Sequence, residues 1–395
     1  MSKELKDVSA SGRQRPWKKH KLANKATIDI LYKIDHGKKA RNIADCGDVL
    51  EFGECPNGHG KKLKKAYFCK DRVCSMCNWR KALFTYAQFF QVAHKVSKDY
   101  PGIEFVFLTL TVKNCELPDL SDTIKHYFQS YRRFLRCKPV KCAFKGTFRS
   151  LEVTYNPLSN TFHPHLHIVV AVGKKYFKGK NYIKHAELKM LWKRALQVDY
   201  NPNCYIEKIK PRNKRLSTIH EEVDLMDKSL VENALIAGGA EVAKYSVKIG
   251  DIVNPLVKKD DSKEMVRAKI ALRNDPDWQA TVLKYLVSGM KRHRLIAYSG
   301  VFKEAYQALK CTDVEESELI HIPGEDNSCK CSVCQSELTQ LHYVWNGKAY
   351  IERQVEGDFS PEYYKRKPFS KVIAEYERQN EEAYLNVSRK RKKAV

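Results

Sequence analysis

At 395 residues the chain exceeds one average domain, so two or three units are expected, each large enough to bury a core. Lysine and arginine number 72 against 46 acidic residues, a formal charge of +26, which favours a polyanionic partner such as nucleic acid or an acidic membrane surface. No stretch approaches the apolar length of a membrane span, and residues 1–21 are polar and basic without the apolar centre of a secretory signal, so a soluble cytoplasmic protein is expected.

Thirteen cysteines, an odd number without a secretory segment, argue against a disulfide framework, and their short spacings suggest thiolate metal sites. Cys115, Cys137, Cys142 and Cys204 stand alone and read as small apolar residues.

In chain order, residues 1–40 carry Arg13, Arg15, Lys18, Lys19 and Lys21 with little apolar periodicity, which predicts a basic arm that orders on DNA. Residues 41–100 are a cysteine-rich segment followed by a helix over 82–96, ended by Pro101-Gly102. Residues 105–112 read as a central strand, and Ile124, Tyr127, Phe128, Tyr131, Phe134 and Leu135 fall on one helical face. Strands over 149–155 and 162–172 flank the loop-forming residues 156–160, and a helix near 186–198 and a strand near 205–209 follow. The order strand, helix, strand, strand, helix, strand is that of a ferredoxin-like unit, expected over 101–255 and closed by a helix near 231–249. A helical region is expected over 256–355, and residues 356–395 form a basic tail ending near Arg389 and Lys393.

Three patterns carry chemistry. His163, His165 and His167 recur at period two, so on a strand their imidazoles share one face while Leu166 and Ile168 enter the core; neighbouring imidazoles suit a divalent metal. If the preceding strand pairs with this one, Glu152 adds an oxygen ligand and leaves open positions for phosphate oxygens. On a helix, Glu241, Tyr245 and Lys248 share a face, and a tyrosine hydroxyl with a pKa of about 10 needs a cation or polarised phosphate beside it to attack. Read blandly, the same octapeptide is a solvated Glu/Lys face. Cys69, Cys74 and Cys77 are spaced to converge on a tetrahedral zinc ion. Cys46, followed by a glycine suited to a knuckle turn, is the chosen fourth ligand, with Cys55 and His59 as alternatives. Lys70, Arg72, Arg80 and Lys81 would surround that knuckle with positive charge for DNA. Cys331 and Cys334 form half of a second zinc site, with only Cys311 and His321 nearby to complete it.

Taken in order, residues 107–114 (FLTLTVKN), 148–156 (FRSLEVTYN), 163–167 (HPHLH) and 241–248 (EVAKYSVK) resemble the motifs of rolling-circle plasmid replication initiators of Gram-positive bacteria, which are HUH endonucleases. The resemblance spans roughly residues 40–350. It implies that His165 and His167 hold a catalytic Mg²⁺ or Mn²⁺, that Tyr245 is the nucleophile, and that Glu241 activates the water used at termination. It assigns no role to His163, whose place in the metal shell rests on the periodicity alone.

The expected protein is α+β: a ferredoxin-like HUH endonuclease domain with an N-terminal zinc knuckle and a helical C-terminal region. Its expected partners are plasmid origin DNA, double-stranded and as a single-stranded hairpin, and a host helicase, with no membrane. A single-tyrosine HUH transposase would share the motif order but lacks such a knuckle and C-terminal region, and a conjugative relaxase would carry its tyrosine ahead of the histidines. A non-catalytic zinc-knuckle DNA-binding regulator would explain the charge and cysteines but leave the histidines and the Glu241/Tyr245/Lys248 face as coincidence.

Overall fold

The computed structural model describes residues 3–9, 12–209, 239, 242–243, 248–325 and 327–353. Glu241, Tyr245, most of the helix expected over 231–249 and the basic tail lie outside them. The described chain divides into two compact units, one of residues up to 81 and from 315 onward, the other of residues 82–314.

The first unit opens with α1 (Trp17–Lys33) and α2 (Gly37–Asp45), where a structureless basic arm was expected. The inner face of α1 is mostly polar, which hid its period: Trp17, His20, Lys21, Asn24, Thr27, Ile28 and Leu31 are all buried at helical spacing. Two of these polar groups have clear tasks. Lys21 donates to the Cys46 carbonyl at 2.9 Å and pairs with Asp48 at 2.7 Å, and His20 stacks on Trp79. Burial lowers the His20 imidazole to about 4, so it packs neutral. Strands β1 (Val49–Glu54) and β2 (Lys61–Ala66) form a hairpin.

The second unit contains most of α3 (Ser75–Asp99), which starts in the first. It continues with β3 (Ile103–Thr111), α4 (Leu120–Arg136), α5 (Lys138–Ala143), β4 (Phe144–Asn156), β5 (Thr161–Gly173), α6 (His185–Leu196) and β6 (Cys204–Lys208). Then follow α7 (Gly250–Val253), α8 (Lys263–Asn274), α9 (Pro276–Gly289), β7 (Ile296–Gly300) and α10 (Val301–Ala308). The sheet order is β6-β3-β5-β4-β7, every neighbouring pair antiparallel. One face carries Leu108, Leu110, Leu151, Leu166 and Ile168, with Tyr127 of α4 and Trp192 of α6 buried alongside. On the other face Phe148 stacks between Phe89 of α3 and Tyr298 of β7, with centroids 4.6 Å away on each side, and Phe302 of α10 closes the cluster.

The region after 256 is not purely helical. β7 completes the sheet of the second unit, while β8 (Thr339–Trp345) and β9 (Tyr350–Glu352) extend the first unit's sheet in the order β2-β1-β8-β9. A five-residue strand such as β7 between two helices leaves too short an alternation to read.

Gly300 ends β7 with φ +54° and ψ −139°, and a Cβ there would meet the Lys145 carbonyl oxygen at 2.1 Å. Gly300→Ala should therefore lower stability by at least about 2 kcal/mol in urea unfolding. Gly250→Ala, with open space around its Cβ, should change it little; equal effects of the two would contradict this account.

Candidate active site and metal centres

The β4–β5 register sets the site. Glu152 lies directly opposite His165, Ser150 opposite His167 and Thr154 opposite His163, so all six project from one face. The hairpin that fixes this register is tied at its tip. Asn156 Oδ1 accepts from the backbone N–H of Leu158 at 3.0 Å, and Tyr155 donates its hydroxyl to Asn160 Oδ1 at 2.7 Å. The Trp278 indole of α9 donates to Tyr155 at 2.8 Å. Beneath the histidines, the Tyr127 hydroxyl accepts from the Leu166 N–H at 3.0 Å and donates to the Leu110 carbonyl.

Glu152 is 3% exposed, with Oε2 at 2.8 Å from His165 Nε2 and 2.9 Å from His167 Nε2. Burial alone pushes its carboxyl up, but hydrogen bonds from His165 and His167, together with the Lys248 ammonium, outweigh that and hold it well below the usual carboxylate range. Lys248 pairs with Oε1. These three donors, one carboxylate oxygen and two imidazole nitrogens, lie within 4.8 Å of one another and could hold a metal ion. The donor set suits a hard or borderline divalent cation. His163 stays outside this trio. Its ring centre is 5.3 Å from that of His165, and burial and the neighbouring imidazole lower its pKa; the period-two spacing puts it on the same face, but it is not among the converging donors, contrary to the expectation that it joins the metal shell.

Two described residues near Tyr245 in sequence reach this face. Val242 is buried with Phe89, Phe107, Phe148, Val169 and Phe302, and Lys248 reaches Glu152. Asp251 of α7 is a further carboxylate close to this charge cluster, pushed up by burial and by Glu152 against the pull of Lys248; sequence reasoning missed it, and its only signal was a carboxylate three residues past Lys248.

In the first unit Cys46, Cys69, Cys74 and Cys77 converge, with Cys46 Sγ 3.4 Å and Cys69 Sγ 3.6 Å from Cys77 Sγ. The Lys70 N–H donates to Cys77 Sγ at 3.1 Å, and Asn24 of α1 donates to Cys74 Sγ at 3.3 Å. Burial pushes the Cys69 and Cys77 thiols well up, a cost that a coordinated divalent ion removes by deprotonating them. Of the alternatives for the fourth position, Cys46 is the one present. Cys55 and His59 instead meet Cys331 and Cys334, where Cys311 and His321 had been the only neighbours in view. The cations expected to face DNA around the knuckle are engaged internally. Arg80, 3% exposed, donates to the Leu319 and Ile320 carbonyls, Lys81 donates to the Lys70 carbonyl and pairs with Glu315, Arg72 also pairs with Glu315, and Lys70 donates to the Glu316 carbonyl.

A family model described as replication protein matches residues 60–351, which include the whole histidine strand and Cys69, Cys74 and Cys77. The chain belongs to the replication protein family. Family members similar to it include the "Protein rep" of Bacillus amyloliquefaciens, 33% identical over 82% of this chain and 90% of the relative. Those of Lactiplantibacillus plantarum and Lentilactobacillus hilgardii are 32% and 31% identical over 87% of this chain and the whole of each relative. No solved structure matches the chain. Among the described residues, no helix is long and apolar enough to cross a membrane.

The trio predicts a measurable cation site. Glu152→Gln and His167→Ala should each weaken Mn²⁺ binding by more than about 10-fold in calorimetry, since even indirect partners of a metal are worth that much. Lys248→Met should tighten Mn²⁺ severalfold by removing a competing cation. Mn²⁺ affinity that is the same in all three variants and the parent would remove the metal from this face.

Proposed function

We propose that the chain is a plasmid replication initiator with a ferredoxin-like HUH endonuclease domain, which cuts one strand of its origin DNA with Tyr245. The observation that carries this reading is the convergence of Glu152, His165 and His167 on the sheet face where both flanks of Tyr245, Val242 and Lys248, are anchored. The strand order β6-β3-β5-β4, fourth-first-third-second within the six-element unit, supports the ferredoxin-like assignment.

Glu152, His165 and His167 would hold a Mg²⁺ or Mn²⁺ ion, which when bound supplies Lewis-acid polarisation of the scissile phosphate. The chain's own residues do the rest. The Tyr245 hydroxyl attacks phosphorus, the new P–Oη bond forms as the P–O3′ bond breaks, the phenolic proton passes to solvent, and the 3′-oxygen leaves protonated as a primer end. The 5′ end stays on the enzyme as a phosphotyrosine. Lys248 offsets charge on the phosphate as it develops. Glu241, four residues before Tyr245 in the sequence, takes a proton from the water that makes the terminating cut. The knuckle sulfurs of Cys46, Cys69, Cys74 and Cys77 hold a structural zinc, four thiolates leaving no open position. A net charge of +26 suits the origin DNA as partner, and a host helicase would unwind the parental duplex.

Tyr245→Phe should abolish nicking of supercoiled origin plasmid and the covalent adduct while leaving origin binding intact; nicking that survives would overturn the assignment. Glu241→Ala should still nick and form the adduct but yield over-long single strands from a two-origin plasmid. A termination-to-initiation ratio equal to that of the parent would return Glu241 to a surface ion pair with Lys244 or Lys248.

A further inference from the structure

Three cysteines and a histidine, at the end of β1, in the β1–β2 turn and in the segment before β8, have no part in the nicking chemistry, yet the fold brings them together. Cys55 follows β1, His59 lies in the β1–β2 turn, and Cys331 and Cys334 lie some 270 residues later in the same unit. Their four donor atoms lie within 4.8 Å of one another. Cys55 Sγ is 3.5 Å from Cys334 Sγ and 3.6 Å from His59 Nδ1, and Cys331 Sγ is 3.7 Å from the same nitrogen. A tetrahedron with Zn–S bonds of about 2.3 Å and Zn–N of about 2.0–2.1 Å has S···S edges of about 3.8 Å and S···N edges of about 3.6 Å. The observed separations match those edges, and they are far longer than a disulfide's S–S bond.

Both halves are shaped as metal-binding turns. In the first, the Gly58 N–H donates to the Cys55 carbonyl at 3.0 Å, and Gly58 and Gly60 have φ of +77° and +116°. In the second, the Gln335 N–H donates to the Cys331 carbonyl at 2.9 Å with Gln335 at φ +60°. Sulfur-directed donors point inward from each: Asn57 Nδ2 to Cys334 Sγ at 3.4 Å and the Val333 N–H to Cys331 Sγ at 3.4 Å. Such donors stabilise thiolate, the form a metal takes.

We infer that Cys55, His59, Cys331 and Cys334 form a second structural zinc centre of three thiolates and one imidazole, separate from the Cys46 cluster. It joins the turn between β1 and β2 to the segment leading into β8, and so fastens the two strands that flank β1 at one end of the sheet. Nothing in this inference rests on the nicking mechanism. The two centres differ in exposure. Cys46, Cys74 and Cys77 are fully buried, whereas His59 is exposed and Cys334 half-buried, so the second centre releases its ion first.

Elemental analysis of the full chain, purified without chelator, should find two zinc ions per chain. Titration with a thiol-blocking reagent, followed by a chromogenic zinc chelator, should release them in two phases. Cys334→Ser and His59→Ala should each retain one zinc and lose the fast phase, and His59→Cys should restore the second ion. One zinc per chain in the parent protein, or two that persist in both Cys334→Ser and His59→Ala, would overturn the assignment. The parent's zinc count and release kinetics decide the matter even if a variant fails to fold.

Discussion

The pairing of Glu152 with His165 and His167 is the contact on which the charged face of the second unit's sheet depends. A carboxylate this deeply buried costs several kcal/mol if left alone, by the general energetics of burying charge, about the stability of a whole domain when summed with a second such error. Two imidazoles and Lys248 offset it. Each partner comes from a different part of the sequence: Glu152 from β4, the histidines from β5, and Lys248 from the end of the stretch that carries Tyr245. A one-residue slip between β4 and β5 would turn the carboxylate into the apolar face and break all of these contacts together. The asparagine-rich turn, the Trp278–Tyr155 bond and the buried Tyr127 hydroxyl guard against that slip. The hydrogen bonds from His165 and His167 and the nearby Lys248 hold the Glu152 carboxyl well below the usual carboxylate range, and its oxygen lies with the two ring nitrogens in a set that could hold a divalent cation.

The same face changes character along the strands. Towards one end it carries histidine, glutamate and threonine, and towards the other Phe107, Phe148 and Val169, covered by Phe89 and Phe302. Val242 enters the apolar end, and Lys248 reaches Glu152 at the polar end.

Much of this was legible from residue types and spacing. Period-two histidines on a strand, the turn-forming residues 156–160 and the alternation of strand and helix gave the order of β3 to β6, because each of those elements is long and buries an apolar face. The convergence of Cys46 with Cys69, Cys74 and Cys77 was readable from the glycine beside Cys46, whose φ of +66° a bulkier residue resists. Three features were not. α1 buries polar side chains against the knuckle, so a search for apolar periodicity passes over it. β7 and β8 are short strands whose partners are distant in sequence, and single-strand patterning says nothing of pairing. The cluster of Cys55 and His59 with Cys331 and Cys334 is assembled by the β1–β8 pairing, which no local spacing encodes. The lysines and arginines around the knuckle show the reverse error, since charge in sequence was read as charge on the surface while the fold uses it to hold carbonyls and Glu315.

The central claim is that the metal trio and Tyr245 belong to one cutting site. The most direct test incubates the full chain with Mn²⁺ and a single-stranded origin hairpin, digests the covalent product with trypsin and nuclease, and locates the residual nucleotide by mass spectrometry. The account predicts a nucleotide phosphate on the tryptic peptide of residues 245–248. The same mass on a peptide containing Tyr155 or Tyr205, or DNA cut without any protein-linked nucleotide, would contradict it.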